Sequence, residues 1–363
     1  MQKRYGEDFK FVATQKIPNE RLELGYKDMD YDYNFVIRAY ENKEEYQKAL
    51  DLAIDSDIVI MGTTDSDIYL TERLKQDKLT FRYRERIFKE GMIKTFLDKK
   101  KRNDIYIRHI KYRKNKNLYM LCASAYGARD FNKLGLYKDK IYKWGYFPKN
   151  NKYDIDKLIE EKEKNKIPEV LWAGRFIAWK NPEYVVHIAK RLKEDNIKTK
   201  IKMIGSGVLF NTIKQSIAKQ QLTDYIELIG PLESDKVQSY MEKANIYLFT
   251  SDRHEGWGVV LNEALNSGCA VIANKEIGSV PFLIKNRENG LIANNFEEFY
   301  NNVKLLLSNK ELRMKIGKNA YKTIDEQWNC INAVNNLEKL FDSIINNKES
   351  QIKEGPASKA QVI

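Results

Sequence analysis

Cysteines are few in this sequence, and long apolar runs are absent. The three cysteines, Cys122, Cys269 and Cys330, lie far apart, and an odd, scattered set argues against both a disulfide framework and a zinc site. No apolar run approaches the roughly 18 residues needed to span a bilayer. The first residues also lack the charged, apolar and small-residue succession of a secretory leader. These absences disfavour secreted and membrane-spanning proteins, and they predict a protein of the reducing cytoplasm.

The composition predicts a two-domain globular protein with a basic surface. The chain has 363 residues, of which 42% are hydrophobic, and this is enough for two domains that each bury a core. The formal net charge is +12. Residues 82–116 alone hold fourteen Lys or Arg against four acids. Such a patch favours an anionic partner: nucleic acid, lipid head groups or a phosphorylated substrate.

Short β-rich runs alternate with helical patterns along most of the chain. This alternation is typical of parallel sheets that are covered on both faces. We therefore predict an α/β protein of two doubly wound, Rossmann-like domains facing a cleft. The predicted boundaries are an N-terminal domain over 1–150, a polar linker over 151–168, a C-terminal domain over 169–347 whose last helix can cross back to the first domain, and a disordered tail over 348–363.

The loops after the strands of the C-terminal domain hold the candidate binding residues, because ligands of such sheets bind beyond the carboxyl ends of the strands. Gly174, Arg175 and Lys180 follow the strand 169–174. Two cations there favour a phosphate clamp, with a solvated loop as the alternative. Gly205 and Gly207 form a tight turn after the next strand, although a lone G-x-G is a weak signal.

The stretch HEGWGVVLNEA, residues 254–264, places Glu255 and Glu263 around Gly256 and Gly258. The glycines allow the backbone to approach a ligand closely, and the start of the following helix favours a phosphate. Carboxylates repel phosphate, but they accept hydrogen bonds from hydroxyl groups. The combination predicts a ligand with phosphates in the middle and hydroxyls on both sides, which describes a nucleotide sugar.

These residues resemble a known family. E-G-W-G-V-V-L-N-E (255–263) resembles the E-x7-E motif of the retaining family-4 glycosyltransferases, and A-G-R-x4-K (173–180) resembles their diphosphate-binding loop. The segment I-G-S-V-P-F-L-I (277–284) is similar to the turn that follows in the family. The similarity runs from about residue 169 to residue 328. It implies a GT-B fold that binds the donor in the C-terminal domain and transfers a sugar with retention, without a cofactor and usually without a metal.

The resemblance also implies a role for each site residue. Glu263 would bind the ribose hydroxyls, Glu255 would contact hydroxyls of the transferred sugar, and Arg175 and Lys180 would stabilise the leaving diphosphate. The implied catalytic residues are Glu255, Arg175 and Lys180. The implied donor-binding residues are Gly174, Gly205, Gly207, Gly256, Trp257, Gly258, Val259 and Glu263. We expect the Trp257 ring to line the sugar pocket or its back wall, partly buried in both cases.

Other features of the sequence carry weaker interpretations. Family members generally open with a strand, a glycine-containing loop and a helix, whereas this chain starts MQKRYGEDFKFVA, so we expect the first strand of the N-terminal domain to be absent. Asp65-Ser66-Asp67 matches a D-x-D metal motif, but capping of a helix near Ile68 is favoured. His254 is favoured as a neighbouring donor or surface residue over a general base. His109 is expected on a helix face.

The basic stretch 82–116 mixes Ile87, Phe88, Met92, Ile93, Phe96 and Leu97 with its many cations. A basic amphipathic helix can lie on an anionic membrane, and a helix that covers its own domain is the alternative. Nucleic acid is disfavoured, because no helix-turn-helix, RNP or zinc pattern occurs.

The sequence leads to one function and two alternatives. The first is a cytoplasmic transferase, peripheral on the inner face of the plasma membrane, that moves a hexose from a nucleotide sugar to a glycan or lipid-linked acceptor in bacterial surface polysaccharide synthesis. The second is a nucleotide-sugar epimerase on the same fold. The third is an N-terminally truncated, inactive chain that binds nucleotide or membrane.

Overall fold

The computed structural model describes residues 1–19, 22, 28–62, 64 and 67–363. Their strands form two α/β units, and every strand pair is parallel. The strands are β1 (Phe11–Ala13), β2 (Val36–Arg38), β3 (Val59–Met61), β4 (Thr80–Arg84), β5 (Leu118–Cys122), β6 (Ile141–Lys143), β7 (Glu169–Ala173), β8 (Lys200–Ile204), β9 (Ile226–Gly230), β10 (Ile246–Phe249), β11 (Ala270–Asn274) and β12 (Leu291–Ala293). The predicted α/β class with parallel sheets is confirmed.

Helices follow most of these strands, as the alternating pattern predicts. In the first half they are α1 (Gln2–Tyr5), α2 (Lys43–Asp55), α3 (Ile68–Lys75), α4 (Met92–Leu97), α5 (Lys99–Ile105) and α6 (Gly127–Asn132). In the second half they are α7 (Ile155–Lys162), α8 (Pro182–Glu194), α9 (Phe210–Lys219), α10 (Ser234–Met241), α11 (Val260–Asn266), α12 (Val280–Leu283), α13 (Phe296–Ser308), α14 (Lys310–Lys322) and α15 (Cys330–Ile345). None of these helices combines the length and the apolar character needed to cross a membrane.

The sheet of the second half has the strand order β12-β11-β10-β7-β8-β9. From β7 the chain winds outward through β8 and β9, and it then returns to β10 on the other side of β7. The order therefore reverses between β7 and β10, and a crevice opens at the carboxyl ends of strands at such a switch point. The loops that follow β7 and β10 carry Arg175, Lys180 and Glu255, so the topology places these side chains at the crevice.

Both faces of this sheet are buried, which explains the continuous apolar strands. Val170 and Trp172 pack into the core on one face, while Leu171 between them packs into the core on the other. Leu248 and Tyr247 of β10 divide in the same way. Successive side chains of a strand point to opposite faces, so a strand covered on both sides needs apolar residues at every position.

The strands of the first half form a two-stranded sheet, β1-β2, and a four-stranded sheet, β3-β4-β5-β6. The loop after β5 reaches the second half of the molecule, where the Ala125 N–H donates to the Gly278 carbonyl at 2.8 Å. The Tyr126 hydroxyl donates to the Lys275 carbonyl. The carboxyl ends of the first-half strands therefore face the crevice of the second sheet.

The polar segment 151–168 is more ordered than a linker. It contains α7, whose Ile155 and Ile159 side chains contact Gly268 and Gly317 of the second half. The Lys162 ammonium is buried and donates to the Met241 and Ala244 carbonyls at 2.8 and 2.7 Å. The linker prediction is corrected here: the two isoleucines lie on successive turns of a mostly charged helix, and a lysine is buried because it meets two carbonyl acceptors.

The C-terminal residues pack on the N-terminal half. Phe341 of α15 lies 5.2 Å from the Phe81 ring of β4, centroid to centroid. Beyond α15, Ala357 and Ser358 are buried, and the Ala357 N–H donates to the Lys143 carbonyl at 2.7 Å. The prediction of a disordered tail is wrong for these residues, because the tail hydrogen-bonds to the edge strand β6 and leaves fewer of its backbone groups unpaired.

Candidate functional site

Three glycines bring the loops after β7 and β8 into backbone contact. Gly205 and Gly207 have φ angles of +133° and +148°, which side chains rarely adopt. A β-carbon on Gly205 would lie 1.9 Å from the Gly174 carbonyl oxygen, and one on Gly207 would lie 2.6 Å from the Phe176 carbonyl oxygen. These glycines therefore allow the two loops to pack against each other, and this packing fixes the start of the loop that carries the two cations.

Lys180 is held in place by the end of β10. The Thr250 hydroxyl donates to the Lys180 carbonyl at 2.6 Å and accepts from the Trp172 indole N–H at 2.9 Å. The Asn181 side chain donates to the Thr250 carbonyl at 2.9 Å. The sequence analysis gave Thr250 no role. A hydroxyl residue that directly follows a strand at the switch point could nevertheless have been named as a candidate for positioning the neighbouring loop.

Lys180 and Glu255 form an ion pair with each other. The Lys180 ammonium donates to Glu255 Oε2, and both side chains are only 14% exposed. The sequence assigned the lysine to the diphosphate and the glutamate to the sugar. The structure brings the two side chains into contact. A cation for phosphate and a carboxylate that can accept from hydroxyl groups therefore lie next to each other in the crevice.

Arg175 is exposed, and its guanidinium lies 5.5 Å from the centre of the Trp179 ring. Within the described ranges no carboxylate pairs with it. An arginine without a carboxylate partner, held on an aromatic face beside the crevice, is available to an anionic ligand.

Glu263 is a half-buried carboxylate to which the described part of the chain offers no hydrogen-bond donor. Burial raises the pKa of Glu263. Its neighbour Tyr247 donates its hydroxyl to the Ala173 carbonyl at 2.9 Å, and burial followed by the nearby Glu263 charge raises the pKa of Tyr247. A carboxylate that is partly removed from water normally has hydrogen-bond partners, so this one is suited to hydroxyl donors from a ligand.

Trp257 does not line a pocket with its ring. The ring is 1% exposed and packs against Trp328 and Phe282, and its N–H donates to Asn262 Oδ1 at 2.8 Å. Gly145 packs against the benzene part of the ring. The expected partial burial is therefore corrected: the indole belongs to the core between the two halves, and only its backbone can face a donor.

The turn around Trp257 is built for close approach of backbone. Gly258 has a φ of +79°, and a β-carbon there would lie 2.3 Å from the Phe249 ring. Val259 precedes α11 as its N-cap residue and is half-buried. Gly256 is buried, and a β-carbon on it would lie 1.7 Å from the Glu85 carboxylate. The sequence analysis missed Glu85, because a contact between residues of the two halves produces no repeating pattern in the sequence.

No metal site is found among the described residues, in which no group of three or more His, Cys, Asp or Glu side chains is suitably arranged. Asp65 of the D-x-D motif lies outside these residues. Asp67 precedes α3 but does not cap it, because both of its carboxylate oxygens accept from Arg82 at 2.7 Å. His254 pairs with Asp252 at 2.8 Å. His109 is buried beside Tyr137, and burial followed by the neighbouring arginines lowers its pKa well below the usual range.

A family model described as "Glycosyl transferases group 1" matches residues 154–323. This part of the chain is similar to the glycosyltransferases of group 1. An uncharacterized glycosyltransferase of Methanocaldococcus jannaschii is 29% identical over 194 residues, which are 53% of this chain and 49% of that protein. The chain spans about half or less of the length of the first curated relatives that it matches.

Two solved structures show the fold. A glycosyltransferase from Rickettsia africae has a TM-score of 0.63 at 16% identity, with 93% of this chain and 90% of that chain covered. HepE of Anabaena, solved with UDP, has a TM-score of 0.62 at 14% identity, with 83% and 82% covered. The fold of this chain is therefore that of the GT-B proteins. Neither the family model nor these likenesses support the epimerase alternative.

We expect nucleotide-sugar binding to weaken at acidic pH because of Glu263. The ionised carboxylate is the stronger acceptor for two hydroxyls, because protonation removes its charge and turns one oxygen into a donor. The raised pKa of Glu263 moves this loss of charge toward neutral pH. In calorimetric titrations between about pH 8 and 5, wild-type affinity should fall below that pKa, approaching tenfold per pH unit. The Glu263→Gln variant should bind more weakly with no such slope. Nucleotide sugars suit this measurement because their diphosphate does not titrate in that range.

The opposite sign is expected for folding. A carboxyl whose pKa is raised in the folded state destabilises that state as pH rises through the pKa. Glu263→Gln should therefore raise the free energy of unfolding at neutral pH relative to wild type. A wild-type affinity that is flat across the acidic range would contradict a role for Glu263 in binding hydroxyls.

Proposed function

We propose that this protein is a glycosyltransferase that moves a hexose from a nucleotide sugar to a glycan or lipid-linked acceptor, with retention of configuration, in the synthesis of a bacterial surface polysaccharide. The observation that carries the proposal is the grouping at the switch point. Arg175 pairs with no carboxylate among the described residues, Lys180 pairs with Glu255, and the carboxylate of Glu263 meets no hydrogen-bond donor in the same part of the chain. These side chains lie in or directly after the glycine-containing loops that follow β7 and β10. The likeness to HepE, which was solved with UDP, supports a nucleotide diphosphate as part of the donor.

The charges suggest how the groups divide the donor. Arg175 and Lys180 supply fixed positive charge where a leaving diphosphate develops negative charge, and such preorganised charge is an effective source of catalysis. We propose that the transfer needs no metal, because these cations take that role. Glu263 accepts from the ribose, and Glu255 accepts from the sugar once Lys180 turns toward the phosphates. Activity that survives excess EDTA would support this assignment.

Thermal-shift measurements against a panel of nucleotide sugars test the proposal. A ligand that binds only the folded protein raises the melting temperature in proportion to the logarithm of its concentration over its Kd. We expect at least one nucleotide sugar to stabilise the wild type, and Arg175→Ala to lose most of that shift. Incubating this donor without acceptor should leave its sugar unchanged, whereas an epimerase would alter it. Retention would be read from the anomeric configuration of the product by NMR.

We further propose that residues 92–106 place the enzyme on an anionic membrane. Ile93 and Leu97 lie four residues apart on α4, so they share a face of the helix, and their exposed fractions are 77% and 76%. Lys99, Lys100 and Lys101 begin the next helix, α5. Phe88, in contrast, is buried in its own domain. Phe88 therefore belongs to the core of its domain, whereas Ile93 and Leu97 are exposed and available to a membrane.

Replacing both exposed apolar residues should release the protein from vesicles. We expect Ile93→Ser with Leu97→Ser to lower the affinity for vesicles of anionic phospholipid at least tenfold, because burying each side chain contributes roughly 1.5–3 kcal/mol. Sedimentation with vesicles measures this. The matched control is Val208→Ser, because Val208 is 83% exposed but lies in the donor domain. Equal sedimentation of the double variant and the control would contradict the membrane proposal.

A further inference from the structure

Glu85, in the N-terminal half, places its carboxylate against the turn around Gly256 (residues 255–258) of the C-terminal half. It follows β4, one of the two central strands of its sheet, directly after the last residue of the strand. Its Oε2 atom lies 1.7 Å from where a β-carbon on Gly256 would stand. The carboxylate therefore rests against the backbone of the residue that follows Glu255.

Two side chains hold Glu85 in this position. The Lys89 ammonium donates to Oε2, and the Tyr146 hydroxyl donates to Oε1 at 3.3 Å. Tyr146 is itself tied to the C-terminal half, because its carbonyl accepts from the Asn262 side chain at 3.2 Å and its ring lies 6.2 Å from the Trp257 ring. The position of Glu85 is thus determined from both sides of the crevice.

The Glu85 carboxylate keeps acceptor capacity. A carboxylate offers about four lone-pair sites, and the lysine and the tyrosine occupy two. The side chain is 26% exposed, so part of it still faces solvent at the crevice. Residue 256 has no side chain of its own, so the Glu85 carboxylate can occupy the space where a β-carbon would otherwise stand.

We propose that Glu85 binds a hydroxyl group of a sugar that lies beside the Gly256 turn, and so acts as a specificity residue supplied by the N-terminal half. This inference rests on the proposed function and adds a residue to it. The ion pair with Lys89, four residues along the same loop, could stabilise a loop anywhere on the surface and does not by itself indicate a binding role. The contact with Gly256, by contrast, places this carboxylate beside Glu255, where the transferred sugar and the acceptor meet.

The sugar hydroxyl can come from the donor or from the acceptor, and two measurements separate these sources. Calorimetry gives the affinities of wild type, Glu85→Gln and Glu85→Ala for the nucleotide sugar found in the thermal-shift panel and for its nucleotide diphosphate. Initial rates at saturating donor give the KM for the acceptor. Glu90→Gln is the matched control, because Glu90 follows the same strand and also pairs with a lysine, Lys101.

We expect both Glu85 variants to keep the wild-type affinity for the nucleotide diphosphate, which lacks the sugar. A loss of about tenfold or more in nucleotide-sugar affinity assigns the hydroxyl to the donor, and an equal rise in acceptor KM assigns it to the acceptor. Either result supports the proposal, provided that Glu90→Gln behaves as wild type and the melting temperatures agree.

Two other results would overturn it. If the Glu85 variants match wild type in nucleotide-sugar affinity and acceptor KM, Glu85 is a structural residue and the proposed function stands without it. If wild type binds no nucleotide sugar, the proposed function itself fails and this inference fails with it.

Discussion

Replacing Lys180 by methionine is expected to lower the turnover of sugar transfer by about 100-fold or more, which is the usual effect of removing one fixed charge from a site where negative charge develops. The side chain is 14% exposed and is tied to Glu255, so its charge is little screened by water. Affinity for the nucleotide diphosphate alone should also fall, because the phosphates lose a cation. Steady-state rates and calorimetric titrations measure the two effects separately.

Glu255→Gln should give the opposite result in binding. The amide no longer holds the Lys180 ammonium as a charged partner, so that ammonium is free to meet the phosphates. We expect the affinity for the nucleotide diphosphate to stay at the wild-type value or to rise, while turnover falls about 100-fold or more. Opposite changes in nucleotide diphosphate affinity in the two variants would indicate that both residues act on the donor. If the pair were only a structural salt bridge, both variants would lose stability and activity together.

The matched control is a second lysine–glutamate pair in the same domain. Lys202 donates to Glu169 at 2.5 Å, and the two side chains are 20% and 23% exposed. Glu169 begins β7, whereas the candidate site follows the end of that strand. Lys202→Met and Glu169→Gln should therefore leave turnover unchanged. If Glu255→Gln weakens nucleotide diphosphate binding as Lys180→Met does, the division of the donor between these two residues is wrong.

The order of the elements and the position of the crevice could be predicted from the sequence. Continuous apolar strands and the helices between them follow from two-sided burial, as Val170, Leu171 and Trp172 show. Once the strands are known, the loops at their carboxyl ends are known too, and glycines and charges in those loops stand out. This is why Arg175, Lys180, Glu255 and Glu263 could be named without coordinates.

The partners of these residues could not be predicted in the same way. Whether Lys180 meets a phosphate or Glu255 depends on how two loops pack, and that depends on the contacts of Gly205 and Gly207. The burial of Trp257 depends on Gly145 of the other half, and the position of Glu85 depends on how the two halves meet. None of these contacts is local in sequence, so neither periodicity nor spacing reports them.

The two wrong predictions about organisation, a linker over 151–168 and a disordered tail over 348–363, both concern polar segments. Residues 151–168 and the C-terminal tail are rich in charge, and charge alone suggests exposure. Yet Lys162 is buried because two carbonyls accept from it, and the tail is docked because β6 leaves an edge of the sheet unpaired. In both cases backbone hydrogen-bonding groups of distant elements decide the outcome.

Gly205→Ala is expected to destabilise the C-terminal half strongly. The new β-carbon would stand 1.9 Å from the Gly174 carbonyl oxygen at a φ of +133°, and the atom in the way is backbone. We expect the free energy of unfolding to fall by about 3 kcal/mol or more. Nucleotide-sugar affinity should fall as well, because relieving the clash moves the loop that carries Arg175. Urea unfolding and calorimetry measure both effects.

Gly230→Ala separates backbone strain from the clash. Gly230 ends β9, its carbonyl accepts from the Gly205 N–H at 2.9 Å, and it has a φ of +88° with no atom within 4 Å of a β-carbon. Strain alone should then cost roughly 1–2 kcal/mol. The difference between the two variants reports the contact with Gly174. Equal losses of stability would mean that the loops after β7 and β8 are not packed through these glycines, and Arg175 and Lys180 would then lack the support that places them at the crevice.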